Sequence, residues 1–455
     1  MSELNKLIDL DKKHHIHPAS NPKEGATDGP SVLFSKGKGM YVTNEVDGKE
    51  YIDAMSMLWN VNIGHGNQEM AEAAKEQMDK IAYSSAFKGF TAEPTAKLAG
   101  KIAELAPGDL NAVFFTSGGS ESNDTNMKLA RFYWGLKGKP KKQNFIALDK
   151  AYHGVTVASQ TATGIPAFHE FANFNVEGIH RAESHLTACE QGDTSHPDFE
   201  KSIRGIIEKE GADSIAGVIL EPVQGAGGVN LPPEGYIKAV RDLCDEYNIL
   251  MIADEVICGF GRTGEMFGVN HWGVVPDMMS VAKGISSGYA QLGGAIVNDE
   301  IKQTIQDYDA VLAHGFTYSG HPLSCAIALK NIEILEREKL VQNTKELETE
   351  VLKGFNYLEE KYKHVANVRC IGLLGAIDLY EDYDQGKLFH PDIKPANKVV
   401  DECFNRQMII RACGAYNETV AFAPPLTSTK EDIQSIIHVL DDALKAFEKS
   451  VQQTV

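Results

Sequence analysis

Short, unbroken apolar runs recur along the chain: NAVFFT (111–116), NFIAL (144–148), IAGVIL (215–220) and ILMIA (249–253). Each ends in glycine or a polar residue and is followed by a stretch with helical spacing. Strands that are apolar throughout must be covered on both faces, and their alternation with helices predicts a mainly parallel sheet. The core is therefore expected to be α/β. Between the runs, TAEPTAKLAGKIAELAPG (91–108) sets Leu98, Ile102 and Leu105 at helical spacing and stops at Pro107-Gly108.

The pattern changes after HPLSCAIALKNIEILEREKLV (321–341). Lysine and glutamate become dense on long helical segments, then short strands are predicted in VRCIGLLGAIDLY and QMIIRACG. The final helix is expected to open on a capping box from Ser428 to Glu431 and to keep Ile433, Ile436, Ile437, Leu440 and Leu444 on one face. This shift in texture puts a domain boundary near residue 328. A large domain is expected over 65–328 and a smaller one over 329–455, to which the segment 1–64 contributes.

The chain's 455 residues suit two domains of unequal size, and 43% hydrophobic with 24% charged residues excludes a disordered or fibrous protein. A formal charge of −19 repels phosphate backbones and anionic lipid, so neither nucleic acid nor a membrane is an expected partner. Seven scattered cysteines without a CxxC pair indicate reduced thiols. MSELNKLIDLDKK lacks the apolar centre of a signal peptide, and no later run approaches spanning length. A cytoplasmic location is expected.

CGFGRTG carries Gly259, Gly261 and Gly264 in GxGxxG spacing directly after a predicted strand. The following EMFGVNHWGVVPD makes a poor crossover helix, so the motif reads as a glycine-rich loop and a dehydrogenase is the minor hypothesis. His14, His15 and His17 in HHIHP stand without a second ligand cluster and are read as surface residues, with no metal assigned.

Ligands of open parallel sheets collect beyond the carboxyl ends of the strands, and four polar features fall there. After VFFT comes SGGSESND, a small-residue loop whose following helix would aim amides and its positive end at an anion, phosphate first among them; a simple helix cap is the plainer alternative. After NFIALDK come Tyr152 and His153, where an aromatic packing over the sheet edge is equally compatible. Glu221 and Asp254 close the two remaining runs, and carboxylates there need cations or several donors. Lys283 lies in SVAKGISSGY, otherwise small and neutral, where desolvation would lower its pKa and let it attack a carbonyl. Alone, it could equally snorkel or bind phosphate. Together the four features supply a phosphate cradle, a stacking face, a partner for a pyridinium nitrogen and a Schiff-base amine, the parts that hold pyridoxal phosphate.

In order along the chain, LWN, FFTSGGSESNDT, YHG, EPVQGAGG, ADEVICGFGRTG, PDMMSVAKGISSGY and HGFTYSGHPLSCA resemble the class III, or omega, aminotransferases of fold type I. The resemblance implies a large domain built on a mainly parallel seven-stranded sheet and a smaller α+β domain. It implies pyridoxal 5'-phosphate, converted to pyridoxamine 5'-phosphate in the aminated half-cycle. Lys283 would form the Schiff base and move the proton; Asp254 would hold the pyridine nitrogen protonated. Val256 and Tyr152 would pack on opposite ring faces, with His153 beside them. Gly119 and Ser120 would contact the phosphate, and Thr317 of the partner subunit would complete the cradle, which implies a homodimer and leaves a dimer of dimers open. Glu221 and Gln224 resemble residues near the ring's polar edge. Many relatives carry serine where Gly118 stands, so backbone amides would replace that hydroxyl contact.

By the same resemblance Arg411 matches a mobile arginine that pairs with an acceptor's carboxylate and leaves for an uncharged donor, a task suited to a bidentate side chain. A surface arginine after a buried strand is the alternative. Trp59 and Phe87 resemble aromatics lining the donor pocket, though core packing also accounts for either. The implied reaction moves an amino group from an amine or omega-amino acid (beta-alanine, taurine, a diamine or an arylalkylamine) to an oxo acid, pyruvate foremost. Three rivals remain: a glutamate-semialdehyde-type aminomutase, the biotin-pathway adenosylmethionine-8-amino-7-oxononanoate aminotransferase, and a non-catalytic protein with a transaminase-like domain.

Overall fold

The computed structural model describes residues 2–172, 174–414 and 416–452. Near the N-terminus β1 (Phe34–Lys38), β2 (Tyr41–Asn44) and β3 (Lys49–Asp53) form an antiparallel meander. The central sheet follows, from β4 (Leu110–Thr116), β5 (Asn144–Leu148), β6 (Ile179–Ala182), β7 (Ile215–Leu220), β8 (Leu250–Asp254), β9 (Met278–Val281) and β10 (Gly293–Asn298). Its order is β4-β10-β9-β8-β7-β5-β6, and only β10 runs against its neighbours. The expected mainly parallel, seven-stranded sheet is therefore present. All four apolar runs lie in its strands, and β7 and β8 are buried at every position, as a sheet covered on both faces requires.

Beyond the long helices Pro322–Arg337 and Leu340–Lys361, β11 (Val365–Ile371), β12 (Leu374–Leu379), β14 (Arg411–Cys413) and β15 (Thr419–Phe422) make a second antiparallel sheet. Between them in sequence, β13 (Met408–Ile409) pairs in parallel with β3, Met408 opposite Ile52. The N-terminal meander and the C-terminal residues thus share one sheet. Residue 328, the expected boundary, lies within the continuous helix Pro322–Arg337.

Two element ends differ from expectation for local reasons. The helix expected over 91–108 spans Glu93–Leu105, because Ala106 precedes Pro107 and takes an extended conformation. The final helix, Lys430–Gln452, is capped one residue later than expected: Asp432 N donates to Thr429 Oγ1 (3.2 Å) and Thr429 N donates to Asp432 Oδ2 (2.8 Å). Ser428 instead donates its hydroxyl to Pro425 O. The Gly259–Gly264 stretch is a loop, with Gly261 and Gly264 at positive φ, followed by a short 3₁₀ turn, Gly268–Trp272, in place of a crossover helix. Among the described residues no helix is long and apolar enough to cross a membrane. All seven cysteines are free and buried.

Candidate active site

The helix Gly119–Leu136 starts immediately beyond β4, and its N-cap residue, Gly118, provides no side-chain cap. Its first amides and positive dipole end are left for a ligand, the arrangement that holds phosphate elsewhere. Three loops converge on this start. A Cβ added at Gly119 would lie 2.9 Å from both methyls of Val256, so the helix approaches the loop after β8 as closely as glycine permits. Ser120 Oγ accepts Val155 N at 3.1 Å, and Gly154 presses against the same hydroxyl at a φ of +129°. Gly118 itself is extended, and a side chain there would meet open space.

Asp254 ends β8 and is buried. Its Oδ2 accepts Asn123 Nδ2 (2.7 Å) and His153 Nδ1 (2.8 Å), and Oδ1 accepts Val256 N (3.1 Å). Three donors thus converge on this one side chain. His153 Nε2 is buried and has no hydrogen-bond partner among the described residues. Glu221, just beyond β7, accepts Tyr152 N (2.8 Å) and Gly225 N (2.9 Å). Burial, then the charge of Asp254, pushes Glu221 up to about 8 against those two hydrogen bonds. Tyr152 lies half-buried with its ring 5.3 Å from that of Phe168.

Lys283 follows β9 in the left-handed region, φ 47°, an uncommon place for a residue with a Cβ. Asn331 fixes the next two residues by donating Nδ2 to Gly284 O (2.8 Å) and Ile285 O (2.9 Å). Residue 283 as a whole is only half-buried, but its amine reaches inward and donates no hydrogen bond to any described residue. Burial lowers its pKa to about 8, with Asp254 and Glu221 opposing and Arg411 reinforcing the shift. Deprotonation near neutrality is what the carbonyl chemistry of a lysine requires.

The Lys283 amine sits 5.5 Å from the ring of Trp59, and the guanidinium of Arg411 lies 4.9 Å from that same ring. Trp59 occupies a strained turn in which Ser56, Met57 and Trp59 all have positive φ. Asp53 Oδ1 accepts Met55 N (3.1 Å) and Met57 N (2.9 Å). Arg262, fully buried, donates to Ser56 Oγ (3.0 Å), Asn62 Oδ1 (2.9 Å), Leu373 O (3.0 Å) and Pro424 O (2.5 Å). Ser56 Oγ in turn donates to Ala423 O at 2.8 Å. Burial lowers Arg262 to about 9, partly offset by Asp53.

The structure thus gathers Lys283, Asp254, Glu221, Tyr152, His153, Val256, Gly119, Ser120, Trp59 and Arg411. Phe87 and Thr317 form a separate group. Phe87 is 49% exposed and lies against Gly315, while Thr317 is exposed and its carbonyl accepts Tyr83 Oη at 2.9 Å. No hydrogen bond or ring contact among the described residues joins them to Lys283. Gln224 is engaged elsewhere, donating to Asp149 O and Ser184 Oγ. Sequence reasoning missed Asn123, Arg262 and Asp53. Asn123 stands one helical turn after Gly119 in SGGSESND, which was a usable signal; Asp53 acts on a turn that no glycine announces, and Arg262 reaches that turn from about 200 positions away.

This donor set fits pyridoxal phosphate: an uncapped helix start for the phosphate, an unpartnered amine for the aldehyde, and a hydrogen-bonded carboxylate for the ring nitrogen. A family model described as class-III aminotransferase matches residues 24–444. The putrescine–pyruvate aminotransferase of Pseudomonas aeruginosa is 37% identical over 438 residues, 94% of this chain and 93% of that protein. A transaminase of the marine bacterium Virgibacillus superposes with a TM-score of 0.94 at 43% identity, over 98% of this chain and 100% of that one. The omega transaminase of Pseudomonas jessenii in complex with PMP gives a TM-score of 0.92 at 33% identity, over 98% and 99%.

Proposed function

The chain belongs to the class III aminotransferases, and from that membership we propose that it moves an amino group from an amine or omega-amino acid to an oxo acid, pyruvate foremost, by two half-reactions in one site. Family members use pyridoxal phosphate. When bound, the group supplies an aldehyde for an amine to condense with and a ring that withdraws electrons from the substrate's α carbon. The observation that carries the reading is the Lys283 amine, unpartnered, lowered to about 8 and set between Asp254, Glu221 and the Trp59 ring.

Each residue's part follows from its surroundings. The uncapped start of Gly119–Leu136, with Ser120, binds the phosphate and fixes the ring's position. Val256 and Tyr152 bound the ring's faces. Asp254, oriented by Asn123, His153 and the Val256 amide, would face the ring nitrogen and favour a proton there. Lys283 would take the proton from the substrate's α carbon and return it two atoms away, on the carbon beyond the amino nitrogen, since its pKa lets the amine exist in both forms near neutrality. Arg411, resting over Trp59, reaches an acceptor's carboxylate and yields the space to an uncharged donor. Phe87 and Thr317 serve the partner subunit's site in a homodimer, which explains their exposure and their separation from Lys283.

Among donors, a diamine is favoured by the putrescine-specific name of one relative. The test is a panel of putrescine, beta-alanine, taurine and an arylalkylamine, each offered with pyruvate and with 2-oxoglutarate. Turnover of an amine with pyruvate as the better acceptor is expected. Conversion without any oxo acid, or only with adenosylmethionine as donor, would replace this reading by one of its rivals.

A further inference from the structure

The sequence left His15 and His17 without a metal because no second group of ligands was visible. The structure supplies one from the preceding helix, Glu3–His14. Asp11 lies one turn before His15, and the chain then bends so that His17 returns to the same carboxylate. His15 Nδ1 is 3.0 Å from Asp11 Oδ2, and His17 Nε2 is 2.7 Å from Asp11 Oδ1. The two imidazole rings are 4.1 Å apart, and the three ligand atoms all lie within 4.8 Å of one another.

From this geometry we infer a site for a zinc-type divalent cation, bound by Asp11, His15 and His17. Two imidazoles and one carboxylate suit zinc, nickel or copper and are a poor set for calcium or magnesium, which take oxygen ligands. Neighbouring ligands of a tetrahedral zinc ion lie about 3.3 Å apart, given zinc–nitrogen distances near 2.0–2.1 Å. Opening the two hydrogen-bonded gaps by a few tenths of an ångström admits the ion, which replaces the shared protons. The side chains are 56% (His15), 30% (His17) and 22% (Asp11) exposed, so water can reach the fourth position. His17 also faces Gly25 of the next helix, Pro22–Asp28, at a distance of 3.9 Å from the position of a Cβ there. A bound ion would therefore fasten the turn at His15–His17 to the first helix, a role separate from transamination and independent of the substrate.

The test uses untagged holoenzyme, stripped with chelator and titrated calorimetrically with zinc chloride. One ion per chain is expected, with affinity weakened at least about tenfold in His17→Ala and in Asp11→Asn, in line with the loss of one ligand from a three-ligand set. His14→Ala, which alters an exposed histidine outside the cluster, leaves binding unchanged. Zinc also raises the melting temperature of the unaltered protein and not that of His17→Ala. No binding, equal binding in all variants, or an equal loss in His14→Ala overturns the assignment.

Discussion

Lys283 combines a buried amine with a strained backbone, and the reactive role proposed for it can be read without substrate. Below a pKa of about 8 its amine is protonated and cannot attack an aldehyde. Uptake of pyridoxal phosphate by apoenzyme should accelerate as pH rises and level off above about pH 8, followed by absorbance in stopped flow. Lys283→Ala should show no covalent uptake and no turnover, and borohydride treatment of the unaltered holoenzyme should modify residue 283. In the proposed mechanism Arg411 acts on one half-reaction only. Its loss removes a charge-assisted hydrogen bond, so Arg411→Ala should slow reaction with pyruvate by about 10- to 100-fold. The half-reaction with an uncharged amine should be untouched; equal losses in both would remove the switching role. Lys283, Asp254, Glu221 and Tyr152 were legible because each breaks or closes an apolar run, where a polar side chain needs a reason.

The turn that carries Trp59 shows what the sequence did not disclose. Its three positive φ values have no glycine to announce them, and the groups that hold it, Asp53 and Arg262, act by hydrogen bonds that leave no periodic trace. Strands were readable since burial on both faces gives an unbroken apolar run; helix ends were less so, as Ser428 and Thr429 offer the same hydroxyl and only packing decides which one caps. Arg262→Met would strip the donor from two carbonyls, the Ser56 hydroxyl and the Asn62 amide oxygen. At about 1–3 kcal/mol for each buried group left unsatisfied, the loss should reach about 3 kcal/mol or more, seen as a lower urea midpoint. Ser56→Ala, which removes the links to Arg262 and Ala423, should cost about 1–3 kcal/mol. Arg262→Lys should recover part of the loss. A midpoint unchanged in Arg262→Met would show that the turn holds itself.

On the scale of the whole molecule, one stretch of sequence and its spatial neighbour expose several large apolar side chains close together. Ile81, Tyr83, Phe87 and Phe90 are 46%, 43%, 49% and 65% exposed, and Val311 and Tyr318 are 84% and 59% exposed. Tyr83 bonds to Thr317 and stacks edge-on against Tyr318, so the two segments form a continuous surface. In the proposed homodimer this surface is the one that the partner subunit would cover. Sedimentation velocity should give a dimer, and Phe90→Glu should shift it towards monomer with a turnover that falls on dilution. A monomer with full activity would contradict the placement of Phe87 and Thr317 in a shared site. The wall beneath Lys283 has a further consequence, for the order in which the protein is made. Ser56 reaches Ala423 across 367 positions, and Ile52 and Ala54 pair with Gln407 and Ile409. While the ribosome works through that interval, on the order of tens of seconds, the early segment has no partner to close on. A nascent chain can assemble its central sheet early, but the turn beside its reactive lysine cannot close until residue 423 has been made.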